Sequence, residues 1–224
     1  GAESVDGAIK LAYKYHNGSR KFILHSDISF HGKLIGAGSL TSSKETIGFN
    51  FQKINNTKPF KYNDINNINE KIKLLRKSNG TSDIYAIIVE PFSGQTCRET
   101  SIDFLNHLRY VCTKNNIVLI FDEIYSGFCK TGPLFNFYRA KNLVPDILLF
   151  SKSFGGGKAS IAGYAIQKNF HNKAYDNLYD ATLHSTTYFG FAEECATAAE
   201  AIKIMVEEKF EYKSKKNNEI ISKY

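Results

Sequence analysis

The sequence lacks several features that define whole classes of protein. It has no apolar run close to the ~18 residues of a transmembrane helix, so none of its 224 residues is expected to span a membrane. Its 16 glycines and 4 prolines exclude collagen-like and low-complexity chains. Its 4 cysteines form no CxxC pair and are too few for a disulfide framework, so we expect a reducing, cytoplasmic setting.

An initiator methionine is also absent. The single methionine is Met205, and Gly1 opens the chain without the pattern of a signal peptide. We therefore expect the chain to be a segment of a longer protein or a processed product. At roughly 150 residues per domain, the length corresponds to one large domain or slightly more.

Positive charge is present but dispersed. The formal net charge is +7, and only the stretches 71–77 and 213–216 are locally dense in lysine and arginine. A nucleic-acid-binding surface requires a clustered patch, and nothing in the sequence joins these two stretches. We therefore predict a solvated basic surface and no nucleic-acid partner.

Three apolar runs predict the centre of the fold. The runs at 84–89, 117–121 and 147–150 show no alternation of apolar and polar residues, which is typical of strands buried on both faces of a parallel sheet. Helix-compatible stretches separate them, so the sequence predicts a βαβαβ arrangement and an α/β fold class. The other predicted elements are helices at 3–15, 99–115 and 191–210, strands at 22–24 and 161–166, and a surface connection at 52–69 followed by a short helix at 70–77.

Each of these runs ends in an ionisable residue. Glu90 follows the first run, Asp122 and Glu123 follow the second, and Lys152 lies two residues after the third. Because ligands of open α/β sheets bind at the carboxyl ends of the strands, we expect these charges to face one crevice. A structural interpretation, in which they solvate the strand ends or form a Lys–Asp ion pair, stays open at this stage.

The expected crevice combines the groups that a pyridoxal phosphate site requires. A buried lysine can lose its proton and attack a carbonyl, and a carboxylate that faces the same ligand can hold a pyridine nitrogen protonated. Lys152 and Asp122 would supply these groups. Gly1 and Ala2, directly before a predicted helix, offer backbone amides to a phosphate, and the glycines at 155–157 let the backbone approach a ligand.

Six motifs, in order along the chain, carry a resemblance to a known family. They are GAESVDGAIKLA from Gly1, FHGKLIGAGSLT from Phe30, VEPFSGQ around Glu90, FDEIYSGFCKTG around Asp122, DILLFSKSFGGG around Lys152 and HSTTYFG from His184. With these motifs, the chain resembles the class III aminotransferases (ornithine-, acetylornithine- and ω-amino-acid-type) of pyridoxal-phosphate fold type I. The resemblance extends from Gly1 to about Ala201.

The resemblance implies a three-layer α/β/α domain with a mostly parallel, mixed sheet. Residues 1–205 would form the large cofactor-binding domain without the family's N-terminal segment. Residues 206–224 would begin the connection to a small C-terminal domain that this sequence does not contain. The implied reaction moves an amino group from an amino acid or ω-amine to a 2-oxo acid, through a Schiff base between Lys152 and pyridoxal phosphate.

The resemblance also implies a role for individual residues. In the reaction, Lys152 would bind the cofactor and later move a proton, Asp122 would pair with the ring nitrogen, and Glu90 would orient groups near Asp122. Thr187 would reach the phosphate of a partner subunit, which implies a homodimer with shared sites. The remaining cofactor contacts are Gly1 and Ala2 at the phosphate, Phe30 and Ile124 on the two faces of the ring, His31, and Tyr125 near the 3-oxygen.

Several residues depart from the family's pattern. Tyr125 replaces a glutamine or a small apolar residue, Lys33 replaces an arginine that binds a substrate carboxylate, Gln95 replaces a glutamate, and 191–192 is Phe-Ala in place of Asn-Pro. These changes leave the amino donor open. They also leave open two alternatives, an aminomutase or racemase of the same fold and a non-catalytic, degenerate fragment. The histidines show no metal-ligand spacing, so we expect no metal site.

Overall fold

A computed structural model describes residues 1–42 and 51–223 of the chain. The strands are β1 (Phe22–Ser26), β2 (Thr57–Phe60), β3 (Ile84–Val89), β4 (Phe92–Ser93), β5 (Arg98–Glu99), β6 (Val118–Asp122), β7 (Ile147–Phe150) and β8 (Gly163–Ile166). The helices are α1 (Ala2–Tyr15), α2 (Ile35–Ser39), α3 (Ile65–Leu74), α4 (Ile102–Asn115), α5 (Lys168–Ala174), α6 (Ala192–Glu207) and α7 (Phe210–Ile221).

Six of the strands form one sheet, in the order β2-β1-β3-β6-β7-β8. All neighbours are parallel except β7 and β8, which are antiparallel. The two short strands β4 and β5 pair with each other in a separate hairpin. The predicted mostly parallel, mixed sheet is confirmed, and the three predicted apolar runs form β3, β6 and β7 side by side.

Helices cover both faces of the sheet, which explains why the central strands show no alternation. In β3, Ile87 packs in a cluster with Phe104 of α4, whereas the next residue, Ile88, packs in a cluster with Leu11 of α1. Both faces of the strand are therefore apolar. The α/β/α layering predicted from the sequence is confirmed.

The structure corrects three of the predicted elements. Strand β2 lies within 52–69, which the sequence analysis assigned to a surface connection. It is an edge strand that contains Pro59, a residue that sequence patterns associate with loops and that sheets tolerate at their edges. Helix α3 begins five residues earlier than predicted. The long helix predicted to Phe210 ends at Glu207, and a further helix, α7, which the sequence analysis did not predict, follows it.

Two features are absent from the described residues. Within 1–42 and 51–223, no helix has both the length and the apolar composition that crossing a membrane requires. In the same ranges, no group of three or more histidine, cysteine, aspartate or glutamate side chains is arranged to hold a metal ion.

Candidate active site

The carboxyl edge of the sheet holds a cavity of about 310 Å³. Glu90, Asp122 and Lys152, which follow β3, β6 and β7, all line it, as the strand ends predict. Four more of the sequence-predicted site residues line the same cavity: Phe30, His31, Ile124 and Tyr125. The parallel sheet therefore gathers residues from positions 30 to 152 into one site.

Asp122 is the most firmly held group of the cavity. It is buried, and its Oδ2 lies 2.7 Å from Nδ1 of the buried His31. Its Oδ1 accepts the backbone N–H of Ile124 at 3.0 Å. Because a carboxylate oxygen only accepts hydrogen bonds, Nδ1 of His31 carries the proton. The two donors fix the orientation of the Asp122 carboxylate.

The other ring nitrogen of His31 is left without a partner. Its Nε2 is buried and makes no hydrogen bond to any of the described residues. A buried polar atom without a partner is costly, and in a cavity wall it is typical of a site that receives a ligand.

Lys152 is part of the cavity lining. It opens a 3₁₀ turn and has a left-handed backbone, with φ of 46°, which is rare for a residue other than glycine and often occurs at functional sites. Its side chain is exposed, not buried as the sequence argument assumed. Nζ lies over the Tyr125 ring, 5.9 Å from its centroid, and makes no ion pair within the described part of the chain. The alternative of a structural Lys–Asp ion pair is therefore wrong for this site.

The ring of Tyr125 forms one wall. It is stacked with Phe92, with 6.1 Å between the centroids and 7° between the planes, and Nζ of Lys130 lies 4.7 Å from its centroid. The ring also lies directly against Gly94, where any Cβ would overlap with it. The sequence marked Tyr125 as an unusual residue, but only the structure shows how it is held.

The two glutamates at the strand ends have different surroundings. Glu90 faces the cavity, and its Oε2 accepts the backbone N–H of Phe30 at 2.9 Å. Burial raises the pKa of the Glu90 carboxyl to about 7, His31 acts against this rise, and Asp122 adds to it. Glu123 instead accepts hydrogen bonds from three groups outside the cavity: the Ser126 hydroxyl at 2.5 Å and the backbone N–H groups of Asn136 at 2.9 Å and Phe137 at 2.8 Å.

Glu123 therefore anchors the loop from Ser126 to Phe137, and it does not line the cavity. Burial raises the pKa of its carboxyl, while its hydrogen bonds favour the charged form. The sequence shows two adjacent carboxylates after one strand but cannot show which of them faces a ligand.

The start of α1 lies beside the cavity. A Cβ on Gly1 would come within 3.1 Å of Ile124 Cγ2, and a Cβ on Gly32 would come within 2.6 Å of the Cβ of Ala2. The first turn of α1 therefore packs against two residues of the cavity wall, Ile124 and Gly32. The predicted contact of Gly1 and Ala2 with a phosphate is compatible with this placement and stays a prediction.

Two other expectations concern residues that lie away from the cavity. In the glycine run 155–157, Gly156 approaches α6, where an added Cβ would lie 2.7 Å from Cβ of Ala201. This close contact is with a helix rather than with the cavity. Thr187 is exposed and lies outside the cavity lining. Its predicted role involves a second subunit, which one chain does not test.

The donor set of the cavity fits pyridoxal phosphate. Lys152 offers an amine for the aldehyde, and Asp122 offers a fixed carboxylate for the ring nitrogen. Phe30 and Ile124 offer apolar surface to the ring, and the unpartnered Nε2 of His31 is the kind of atom that a bound ligand satisfies.

Comparison with known proteins agrees with this geometry. A model of the family "aminotransferase class-III" matches residues 1–224. Acetylornithine aminotransferase of Clostridium acetobutylicum is 32% identical over 214 residues, which cover 93% of this chain and 51% of that protein. The enzyme of the same name from Prochlorococcus marinus is 34% identical over 204 residues, which cover 88% of this chain and 46% of that protein.

Solved structures give the same result. The ornithine aminotransferase of Toxoplasma gondii, described with partial occupancy of pyridoxal phosphate at its active site, superposes with a TM-score of 0.80 and 26% identity. The match covers 93% of this chain and 48% of that one. A transaminase from the marine bacterium Virgibacillus superposes with a TM-score of 0.82 and 25% identity, over 93% of this chain and 49% of that one.

The chain spans about half the length of the curated relatives that it matches. The family model nevertheless matches every residue of this chain. With the strand-end lysine and aspartate in one cavity, this coverage means that the chain belongs to the class III aminotransferases, a pyridoxal-phosphate-dependent family.

Proposed function

We propose that this chain is the cofactor-binding part of an aminotransferase that moves an amino group from an amino acid or ω-amine to a 2-oxo acid. The observation that carries the proposal is the arrangement of Lys152 and Asp122. They follow adjacent parallel strands, line one cavity and do not pair with each other. An amine and a carboxylate held apart in this way are free to engage two different atoms of one ligand.

The proposed cofactor is pyridoxal phosphate, and its contacts follow the residues of the cavity. Lys152 Nζ would bind the aldehyde carbon, and the Asp122 carboxylate would pair with the ring nitrogen. Gly1 and Ala2 would hold the phosphate at the start of α1. Phe30 and Ile124 would hold the two faces of the ring, with His31 and Tyr125 beside it. When bound, pyridoxal phosphate supplies an electron sink that weakens the bond to the substrate's α-proton.

Three residues of this chain have separate roles in the proposed reaction. Lys152 would supply the amine that holds the cofactor and, once released, the base for the substrate's α-proton. Asp122 would keep the ring nitrogen protonated, because His31 and the Ile124 N–H keep its carboxylate in one orientation. Glu90 lies beside Asp122 and orients the cavity wall without reacting.

The proposed assembly is a cytoplasmic homodimer with shared active sites. The exposed Thr187 supports it, because this hydroxyl is available to the phosphate of a second copy. The partners are a small-molecule amino donor and a 2-oxo acid acceptor, with no nucleic acid and no membrane. An aminomutase or racemase is not favoured, because the relatives and solved neighbours named above are aminotransferases.

The test is Lys152→Ala in the complete protein, with Lys158→Ala as the matched control, since Lys158 is an exposed lysine six residues further on. With pyridoxal phosphate added, the wild type and the control should show the visible band of a Schiff base. Borohydride reduction and peptide mass spectrometry should locate the adduct on Lys152. The Lys152→Ala protein should fold, lack the band and release no 2-oxo product.

Full turnover by Lys152→Ala would contradict the proposal. A wild-type protein that folds and shows no band would instead favour the non-catalytic alternative. Detection of an isomerised or racemised amino acid without any 2-oxo product would favour the aminomutase or racemase.

A further inference from the structure

Glu90 lies between two walls of the cavity that different parts of the chain supply. One wall is the Phe30–His31 segment after β1, and the other is the β4–β5 hairpin, where Gly94 supports the Tyr125 ring. These two segments are more than sixty residues apart in sequence, and neither follows the other in the sheet. Their relative position therefore requires a specific contact.

The Glu90 carboxylate makes that contact. Its Oε2 accepts the backbone N–H of Phe30 at 2.9 Å. Glu90 is 6% exposed, so water does not compete for this hydrogen bond. Its own backbone is held to the base of the hairpin, since its carbonyl accepts the hydroxyl of Thr100, the residue after β5, at 2.7 Å.

We propose that Glu90 is a positioning residue whose ionised carboxylate clamps the Phe30 segment to the base of the β4–β5 hairpin, and so sets the distance between the two cavity walls. The proposal rests on the proposed function where it concerns the cofactor, but the clamp itself is a property of the chain. A charged acceptor binds an N–H donor more strongly than a neutral one. Protonation of Glu90 therefore loosens the contact between the Phe30 segment and the hairpin.

The surroundings of Glu90 make this protonation accessible. The titratable groups that face it among the described residues are His31, Asp122 and Tyr62. Burial raises the pKa of Glu90 from 4.5 to about 7, so the carboxyl changes its charge near neutrality. The clamp is closed above this pH and weakened below it.

The first experiment follows the clamp directly, without a cofactor or a variant. In the wild-type protein, the amide proton shift of Phe30 is recorded by NMR between pH 5 and pH 9. It should move with a midpoint near 7, because this N–H donates to the Glu90 carboxylate. The absence of any titration of the Phe30 amide would overturn the proposal.

The second experiment uses Glu90→Gln, with Glu70→Gln as the matched control, since Glu70 is an exposed carboxylate on α3. The amide side chain that replaces the Glu90 carboxylate is neutral at every pH and has one oxygen in place of two. At pH 8 we expect amide exchange at Phe30 to be about tenfold faster than in the wild type, and the control to be unchanged.

The third experiment asks whether the clamp matters for the ligand. Pyridoxal phosphate should bind Glu90→Gln about tenfold more weakly than the wild type at pH 8, and the two dissociation constants should converge at pH 6. A purely structural role would give a ratio that does not change with pH, and this result would overturn the proposal. If the wild type does not bind the cofactor at all, the proposed function fails, while the amide titration still decides on the clamp.

Discussion

Charged side chains at the two ends of the sheet differ in how completely they are bonded. At the amino end, arginines bind main-chain carbonyls: Arg20 donates to Ile84 O at 2.8 Å and to Asn115 O at 3.2 Å. There, Arg109 also pairs with Asp146 at 3.1 Å, and Asp146 accepts the Leu119 N–H at 2.7 Å. The arginines named here and Asp146 therefore have fixed partners.

At the carboxyl end, three charged or polar groups are incompletely bonded. Lys152 has no ion pair within the described residues, His31 keeps one nitrogen without a partner there, and Glu90 is buried close to another carboxylate. In one and the same sheet, therefore, the arginines at the amino end stabilise the fold, and these three groups at the carboxyl end are placed to receive a ligand. Substitutions at the two ends should separate these properties.

The largest effect is expected for Asp122→Asn at the carboxyl end. The amide cannot stabilise a proton on the ring nitrogen as a carboxylate does, so the rate of amino transfer should fall by roughly a hundredfold or more. The side chain keeps its size but offers one acceptor oxygen to two buried N–H donors, so the free energy of unfolding should fall by about 1–2 kcal/mol. Steady-state kinetics and urea denaturation together measure this contrast. A variant that keeps more than about a tenth of the activity would remove Asp122 from the proposed role.

A smaller effect, on stability and not on activity, is expected for Arg109→Ala at the amino end. Removal of the guanidinium leaves the half-buried Asp146 without its ion pair, so the free energy of unfolding should fall by about 1–2 kcal/mol. Turnover should be unchanged. The urea midpoint is the measurement, and Lys141→Ala, at an exposed lysine, is the control. Equal losses of stability in Arg109→Ala and Lys141→Ala, or a loss of activity in Arg109→Ala, would contradict the proposed division between the two ends.

The smallest effect is a difference in pH dependence. His16, at the amino end, is buried with Nε2 at 3.2 Å from Tyr85 O, and burial lowers its pKa from 6.5 to about 4. Its neutral form therefore contributes stability above pH 6.5, and this contribution is lost as the pH falls towards 4. Glu90, whose pKa is raised, has the opposite sign: its contribution is full below pH 4.5 and is lost as the pH rises through 7.

Stability curves against pH for His16→Gln and Glu90→Gln test this difference in sign. Relative to the wild type, His16→Gln should lose less stability as the pH falls from 6.5 to 4. Part of the loss of stability at low pH should remain, because the pKa of His25 is lowered in the same way. Glu90→Gln should lose less as the pH rises from 4.5 to 7. Slopes that match the wild type in both variants would show that these groups titrate alike in the folded and unfolded chain.

Much of the fold was readable from the sequence because its signals are local. The unbroken apolar runs of β3, β6 and β7 gave the central strands, and the ionisable residues after them gave three of the cavity residues. Strand β2 was missed because it is short, lies at an edge and contains Pro59. Helix α7 was missed because it is mostly polar and none of its residues is buried, so no apolar face marks it.

The contacts that define the site could not be predicted in the same way. His31 and Asp122 are 91 residues apart in sequence, and only the pairing of β1, β3 and β6 brings them within 2.7 Å. The adjacent carboxylates of Asp122 and Glu123 look equivalent in sequence, yet one faces the cavity and the other fastens a loop. Such distinctions depend on the alternation of faces at a strand end and on loop geometry, which periodicity does not encode.

The contact between Gly94 and the Tyr125 ring constrains the order in which this site can change. Any residue with a Cβ at position 94 would overlap with the ring, so position 94 can vary only after Tyr125 has been replaced by a smaller side chain. Replacing the ring at position 125 first meets no such obstacle. The two positions therefore form a one-way mutational path, and laboratory evolution of this cavity should acquire its change at 125 before any change at 94.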